Sequence, residues 1–105
     1  MRWKLRLVPE AEADLVRLYA FILNGDPDYP SALALAERAL AAIRHGFDLL
    51  TWSPFSCRKS GADPLLRELV IPFGGAGYVA LFEIDDARTV TILAVRHQRE
   101  DDWIR

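Results

Sequence analysis

Apolar and polar positions alternate along residues 2–8: Trp3, Leu5 and Leu7 fall on one side, Arg2, Lys4 and Arg6 on the other. A period of two marks a strand buried on one face. Its basic outer face is of the kind that stays solvated and protects a sheet edge. Pro9 then stands where a helix starts, with Glu10, Glu12 and Asp14 close behind. Proline at a first helical position and acids in the first turn both favour a helix N-terminus. Ala11, Leu15, Leu18 and Ile22 recur at helical spacing and predict one apolar stripe. Asn24-Gly25 ends this helix, because both residues tolerate the left-handed conformation.

Residues 26–30, Asp-Pro-Asp-Tyr-Pro, predict a short turn, and a second helix is expected over residues 31–50. Leu33, Ala36, Leu40, Ile43, Phe47 and Leu50 step by three and four, and Gly46 weakens the helix by about 1 kcal/mol relative to alanine. Two amphipathic helices joined by a tight connection predict an antiparallel hairpin. Residues 51–64 read as a loop punctuated by Ser53-Pro54 and Gly61. Three strands follow, at 65–73, 78–84 and 89–95, separated by Gly74-Gly75-Ala76-Gly77 and Asp85-Asp86-Ala87-Arg88. Both separators have hairpin chemistry. In the last strand Val90, Ile92 and Ala94 alternate with Thr91, Leu93 and Val95, so both faces are apolar. Such a strand belongs inside a sheet. The order β-α-α-β-β-β predicts a single α+β domain over residues 1–105, with the helical hairpin on one face of a mainly antiparallel sheet. A small sheet covered on one face leaves apolar surface for a partner chain.

A chain of 105 residues makes one domain. The net charge of −2 argues against gripping nucleic acid through a general positive field. Lysine is scarce and arginine plentiful, which favours planar, bidentate contacts with carboxylate or phosphate. The single cysteine, Cys57, forms no intrachain disulfide and reads as a small filler in a reducing compartment. No Cys/His spacing for zinc is present, no apolar run approaches the ~20 residues of a membrane span, and the start is too alternating for a signal peptide. These features predict a cytoplasmic protein with no metal, no cofactor and no membrane contact.

The glycine-rich turn at 74–77 lacks the Gly-Lys-Ser/Thr ending of a phosphate loop and precedes a strand, so it reads as a hairpin turn. His45 lies off the apolar stripe, as a solvated histidine does. Arg67 shares strand parity with Leu65, Leu69 and Ile71. A charge on that face requires a partner, and an ion pair with one of Glu100, Asp101 or Asp102 is the structural expectation. Arg96 and His97 leave the last strand on opposite faces, with Arg99 and Glu100 just beyond. A histidine that titrates near neutrality, with arginines to hold phosphate, supplies the parts for metal-free RNA cleavage. A histidine at a strand end serves equally as a structural hydrogen-bonding group. Tyr78 can stack on a base or pack within the sheet beside Phe82.

The stretch Arg67-Glu-Leu-Val-Ile-Pro-Phe-Gly-Gly-Ala-Gly-Tyr-Val-Ala-Leu-Phe-Glu-Ile84, then Leu93-Ala-Val-Arg-His-Gln-Arg-Glu-Asp-Asp-Trp103, resembles the RelE/ParE toxins of bacterial type II toxin–antitoxin modules. Val8-Pro-Glu-Ala-Glu-Ala-Asp-Leu15 resembles the family's passage from first strand to first helix. The resemblance spans nearly the whole chain and agrees with the element order. It implies a toxin of a plasmid-stabilisation or stress module, held inactive by a cognate antitoxin whose tail wraps its surface. It also implies one of two activities. The RelE-like branch is a ribosome-dependent mRNA endoribonuclease, and the ParE-like branch inhibits DNA gyrase without being a nuclease. Arg67 and Arg96-His97 match functional positions of the first branch. The tyrosine expected after the last strand is replaced by Gln98-Arg99, and Arg-His-Gln-Arg-Glu-Asp-Asp is closer to the ParE-like ending. The expectation is therefore a non-enzymatic gyrase inhibitor whose partner-binding residues are Arg67, Tyr78, Arg96, His97, Arg99 and Trp103. The alternatives are the nuclease, with His97 as acid or base, Glu100 assisting and Arg67 and Arg96 on phosphate, and a degenerate, non-toxic member. A homodimer or a toxin–antitoxin hetero-oligomer is the expected assembly.

Overall fold

The computed structural model describes residues 2–25 and 28–100. The chain runs through β1 (Lys4–Leu7), α1 (Pro9–Gly25), α2 (Tyr29–Leu50), a 3-10 turn (Pro54–Ser56), β2 (Arg58–Lys59), β3 (Leu66–Phe73), β4 (Ala76–Ile84) and β5 (Thr89–His97). The sheet order is β1-β5-β4-β3-β2, with β1 parallel to β5 and every other pair antiparallel. The last strand thus lies inside the sheet, as its doubly apolar pattern requires, and the basic first strand lies at an edge. None of the described helices is long and apolar enough to cross a membrane.

The one strand added to the expected order is β2, inside the segment read as a loop. Two adjacent cations carry no alternation, so periodicity could not reveal it. Its pairing is tertiary: Arg58 lies opposite Glu68, and its Nε donates to Glu68 Oε1 at 2.9 Å. In α2 the buried row is Ala32, Ala36, Ala39, Ile43, Phe47 and Leu50, while Leu33 and Leu40 are half-buried. The buried face is rotated toward the alanines because small residues let two helices approach closely. Gly46 is also more than a weak helix former. A Cβ there would sit 3.0 Å from Ile71 Cγ1 and 3.1 Å from Leu69 Cδ2, so its absence lets α2 lie down on β3.

The core fills the space between hairpin and sheet. Phe82, Ile84, Val90 and Ile92 are essentially inaccessible, and Ile43, Phe47 and Leu50 of α2 close over them with Ala11 and Leu18 of α1. The two-residue turn Gly74-Gly75 joins Phe73 to Ala76, with Gly74 at φ +60°, as a tight hairpin demands.

Strict alternation fails at one place, and the failure sets the geometry of the C-terminal end. Pairing of β4 with β5 steps from Leu81 opposite Ala94 to Phe82 opposite Ile92, leaving Leu93 as an extra residue in a β-bulge. A bulge shifts side-chain parity by one. Val95 therefore joins Val90 and Ile92 in the core beneath the helices, where alternation had placed it with Leu93 and Thr91. The residues after the bulge pair as Ala80 with Val95 and Tyr78 with His97. His97 is thereby turned to the helical side of the sheet, and Arg96, opposite Val79, to the other.

Candidate functional site

β1 accompanies β5 only as far as Ile92, whose carbonyl accepts Val8 N–H at 3.1 Å. Beyond that point α1 takes over the edge of β5. The buried Asp14 carboxylate accepts the backbone N–H of Val95 at 2.8 Å, and Arg17 Nη2 donates to Val95 O at 3.4 Å. One turn of helix thus satisfies both main-chain groups of Val95 on the side of β5 that β1 has left. Arg17 also forks onto Glu100, with Nη1 to Oε1 at 2.9 Å and Nη2 to Oε2 at 3.4 Å. This contact ties the chain after β5 back to α1.

The segment from His97 to Glu100 is folded onto itself. Gln98 N–H donates to Gly77 O at 2.9 Å, and Glu100 N–H to His97 O at 3.1 Å. Arg99 N–H donates to His97 Nδ1 at 3.0 Å. An Nδ1 that accepts this bond is unprotonated, so the ring proton sits on Nε2. The imidazole meets Tyr78 edge-on, with centroids 5.6 Å apart at 89°, and Tyr78 in turn lies 6.2 Å from Phe73. Tyr78 is only 4 % exposed, and burial pushes its phenol pKa up. Burial also acts to raise the Glu100 pKa. The hydrogen bonds from Arg17 and from His97 N–H, with the charge of Arg17, outweigh it and hold the carboxyl below its ordinary range.

These groups form one end of a groove of about 490 Å³ between the helical hairpin and the sheet. Leu18, Phe21 and Ile22 of α1, Leu35 of α2, and Phe73 and Tyr78 of the sheet give it an apolar lining, while Arg17, His97, Arg99 and Glu100 stand at one side. Phe21 is 77 % exposed, although it borders a cavity of this kind. Among the described residues no group of His, Cys, Asp and Glu is placed to hold a metal ion.

The groove gathers Tyr78, His97, Arg99 and Glu100 from the residues singled out in the sequence, and it does not include Arg96 or Arg67. Arg96 lies across the sheet, where its Nη1 donates to the carbonyls of His97 and Glu100 at 3.3 and 3.0 Å. Arg67 pairs with Phe82, four residues along the sheet from the Ile71–Tyr78 row, or roughly 13 Å at the strand rise per residue. In place of the expected carboxylate, Arg67 donates to the backbone carbonyls of Pro64, Phe55 and Cys57 at 2.8, 3.1 and 2.8 Å. Its guanidinium lies 5.3 Å over the Phe55 ring, which meets Trp3 edge-on at 5.8 Å. This guanidinium therefore closes the 54–64 loop over the sheet end. Beside it, burial pushes the Cys57 thiol pKa up against the opposing pull of Arg67. Trp103 lies outside the described residues.

Asp14 and Arg17 were not singled out in advance. Their signal was nonetheless present: Asp14 falls on the stripe of Ala11 and Leu18, where an unpartnered carboxylate would be costly. A buried acid in that position points to a donor on the strand beneath it.

The arrangement can seat an apolar segment and can present guanidinium and imidazole groups at its edge. Three solved structures share the fold. A chain titled as the chromosomal ParDE toxin–antitoxin system from P. aeruginosa superposes with a TM-score of 0.70 at 18 % identity, covering 91 % of this chain and 96 % of that one. One from the toxin–antitoxin complex RelBE2 of Mycobacterium tuberculosis gives 0.57 at 25 % identity, with coverages of 92 % and 99 %. One from the archaeal RelE–RelB complex of Pyrococcus horikoshii gives 0.51 at 15 %, with 95 % and 99 %. Sequence comparison with curated proteins gave no match. The family described as the ParE toxin of the type II toxin–antitoxin system, parDE, matches residues 5–102, from β1 through the His97–Glu100 turn. With the strand, the hairpin, the sheet and the groove-side turn all inside that match, the chain belongs to the ParE toxin family.

Proposed function

We propose that this ParE-family chain acts by inhibiting DNA gyrase in the cytoplasm and is neutralised by a cognate antitoxin in a toxin–antitoxin hetero-oligomer. The observation that carries the choice of activity is the separation of Arg67 and Arg96, the two expected phosphate ligands, from His97. His97 and Arg96 face opposite sides of the sheet, Arg67 stands roughly 13 Å along it, and each arginine donates to main-chain carbonyls. A general base, a general acid and phosphate-binding cations must converge on one scissile phosphate, within hydrogen-bond reach of it. Glu100, the remaining candidate, is held as a carboxylate by Arg17, which makes it a weak base. The match to the ParE toxin family favours the same branch. The antitoxin is supported by the groove and by the structural neighbours, which are titled as toxin–antitoxin systems.

Purified chain added to gyrase and relaxed plasmid is expected to abolish supercoiling, while mRNA from induced cells stays uncut. Supercoiling that proceeds normally, with mRNA cut at defined codons, would establish the ribonuclease instead. Full growth on induction without antitoxin would mark a non-toxic member.

A further inference from the structure

The end of the sheet away from His97 carries a second cluster, which shares no residue with the groove. β1 begins there, α2 ends there, and the β4–β5 turn closes there. Trp3 N–H donates to Thr51 O at 2.7 Å and Lys4 N–H to Arg88 O at 2.8 Å, which ties these segments together. Guanidiniums and rings then alternate. Arg88 lies 4.9 Å over Trp3, Trp3 meets Phe55 edge-on at 5.8 Å, and Arg67 lies 5.3 Å over Phe55. Arg2 lies 4.9 Å over Trp52. This stacking fixes rings that face water: Trp52 is 58 % exposed and Phe55 51 %. Leu49, whose carbonyl takes Trp52 N–H, is exposed as well, and so is Leu65, next to the Pro64 carbonyl that holds Arg67.

Arg88 stands in this cluster against its backbone preference. Among the described residues it is the one non-glycine in the left-handed region, at φ +62°, in a hairpin turn where glycine is the usual occupant. A strained residue that its surroundings must hold in place points to a use for its side chain. The nearby acids are already engaged. Asp48 pairs with Arg2, and Asp63 and Asp85 accept backbone N–H groups of their own turns. No ion pair among the described residues uses Arg88. Binding energy at protein interfaces concentrates on tryptophan and arginine. Aliphatic neighbours and a chain charge of −2 fit a protein partner better than a nucleic-acid strand, which follows a basic track.

We infer that this aromatic end is the surface through which the chain contacts gyrase, with Trp52 and Phe55 entering an apolar recess and the Arg88 guanidinium meeting a carboxylate of the enzyme. The inference rests on the gyrase reading for the partner's identity and on this cluster for its chemistry. Arg2 and Arg67 are positioning residues, because they hold the rings that make the contact. Leu35 at the groove and Leu49 beside Trp52 are roughly 21 Å apart along α2, so a chain seated in the groove leaves this end open.

The test is a titration of gyrase holoenzyme supercoiling with the purified full chain and two variants, with Tm read alongside. Trp52→Ala should raise the half-inhibitory concentration at least about tenfold, as loss of an interface anchor does. Arg88→Asn should raise it about fivefold or more, with Tm within a few degrees of the parent. Asparagine tolerates the left-handed turn and lacks the guanidinium. Biolayer interferometry on immobilised gyrase should show Kd weakened in the same proportion.

Inhibition unchanged within about twofold in both variants would overturn the inference. Losses that only follow the folded fraction would overturn it too, since the cluster would then be packing alone. Binding of a labelled oligothymidylate strand by the chain, lost with Trp52→Ala, would assign the surface to nucleic acid instead. A purified chain that is dimeric and becomes monomeric with Trp52→Glu would assign it to a second copy. A parent that arrests growth without inhibiting gyrase would remove the gyrase reading alone. Growth arrest lost in folded Trp52→Ala and Arg88→Asn would then keep the surface for another protein target, and growth arrest retained would overturn it. A parent with no effect on growth or on gyrase would overturn both.

Discussion

The carboxylate of Asp14 in α1 accepts the backbone N–H of Val95 in β5 at 2.8 Å, inside the protein. The bond joins a helix to a strand residue 81 positions later at the point where β1 has turned away. Removing the acceptor leaves a buried N–H without a partner, which costs about 1–3 kcal/mol. Asp14→Ala should therefore lower Tm by several degrees or more, at about 4–8 °C per kcal/mol for a domain of this size. Asp14→Asn, whose amide oxygen can still accept, should lose much less. Equal Tm values for Asp14→Ala and the parent, by circular dichroism melting, would remove the bond from the stability account.

Two glycines should respond to alanine very differently. At Gly46 the new methyl meets Ile71 and Leu69 side chains at 3.0–3.3 Å. Crowding of this kind costs about 1–3 kcal/mol, set against a helix-propensity gain of about 1 kcal/mol. A small net loss is expected. At Gly77 the methyl would lie 2.1 Å from the main-chain oxygen of Ile71, at φ +149°. Backbone cannot yield as a side-chain tip can, so Gly77→Ala should disrupt the β3–β4 ladder and reduce soluble yield sharply. Urea midpoints for the two variants check the order, which reverses if the hairpin tolerates the methyl.

The architecture was legible because most of its cues are periodic. Alternation marked β1, helical stripes marked α1 and α2, and the doubly apolar run of β5 placed it inside the sheet. What periodicity cannot carry is a register event. Nothing in Ile-Leu-Ala-Val announces that Leu93 is the bulged residue, because every candidate is apolar and fits either face. Yet the bulge decides that Val95 and His97 face the helices. Likewise, Arg67 was readable as a charge in need of partners, but its acceptors are carbonyls of a loop brought to it by the fold. Main-chain acceptors have no residue identity to betray them. Tyr78, His97, Arg99 and Glu100 were recognisable by type, whereas Phe21 and Leu35 entered the site only through the packing of α1 beside α2.

Arg67→Lys is a sharp test of that loop clamp. One ammonium cannot reproduce a planar fork that spans three carbonyls, and it forfeits part of the stacking over Phe55. The 54–64 loop should become the first site of limited proteolysis, with a stability loss of about 1–3 kcal/mol. Growth inhibition should fall only in proportion to the folded fraction. A stable Arg67→Lys protein that has lost all toxicity would instead place this arginine against the target.

His97→Ala separates packing from chemistry. The lost edge-on contact with Tyr78 is worth about 0.5–1.5 kcal/mol, and Arg99 N–H loses its acceptor. A modest drop in Tm is expected, with gyrase inhibition per folded molecule retained within a few-fold. A general acid or base contributes roughly 10²–10⁴-fold, so a loss of that size at unchanged Tm would return the histidine to a catalytic role.

The Arg17–Glu100 pair should leave a mark on acid stability. Because the folded protein holds the Glu100 carboxyl below its ordinary value of 4.5, the unfolded chain takes up this proton first as pH falls. The contribution is complete above the unfolded value and is lost as pH drops through the lower, folded one. Both groups are substantially exposed, and the effect is correspondingly small and sensitive to salt. Stability measured by urea titration between pH 6 and about pH 3 should fall less steeply for Glu100→Gln than for the parent, and the difference should shrink in about 0.5 M NaCl. Parallel curves for the two proteins would mean that Arg17 gains as much from solvent as from Glu100.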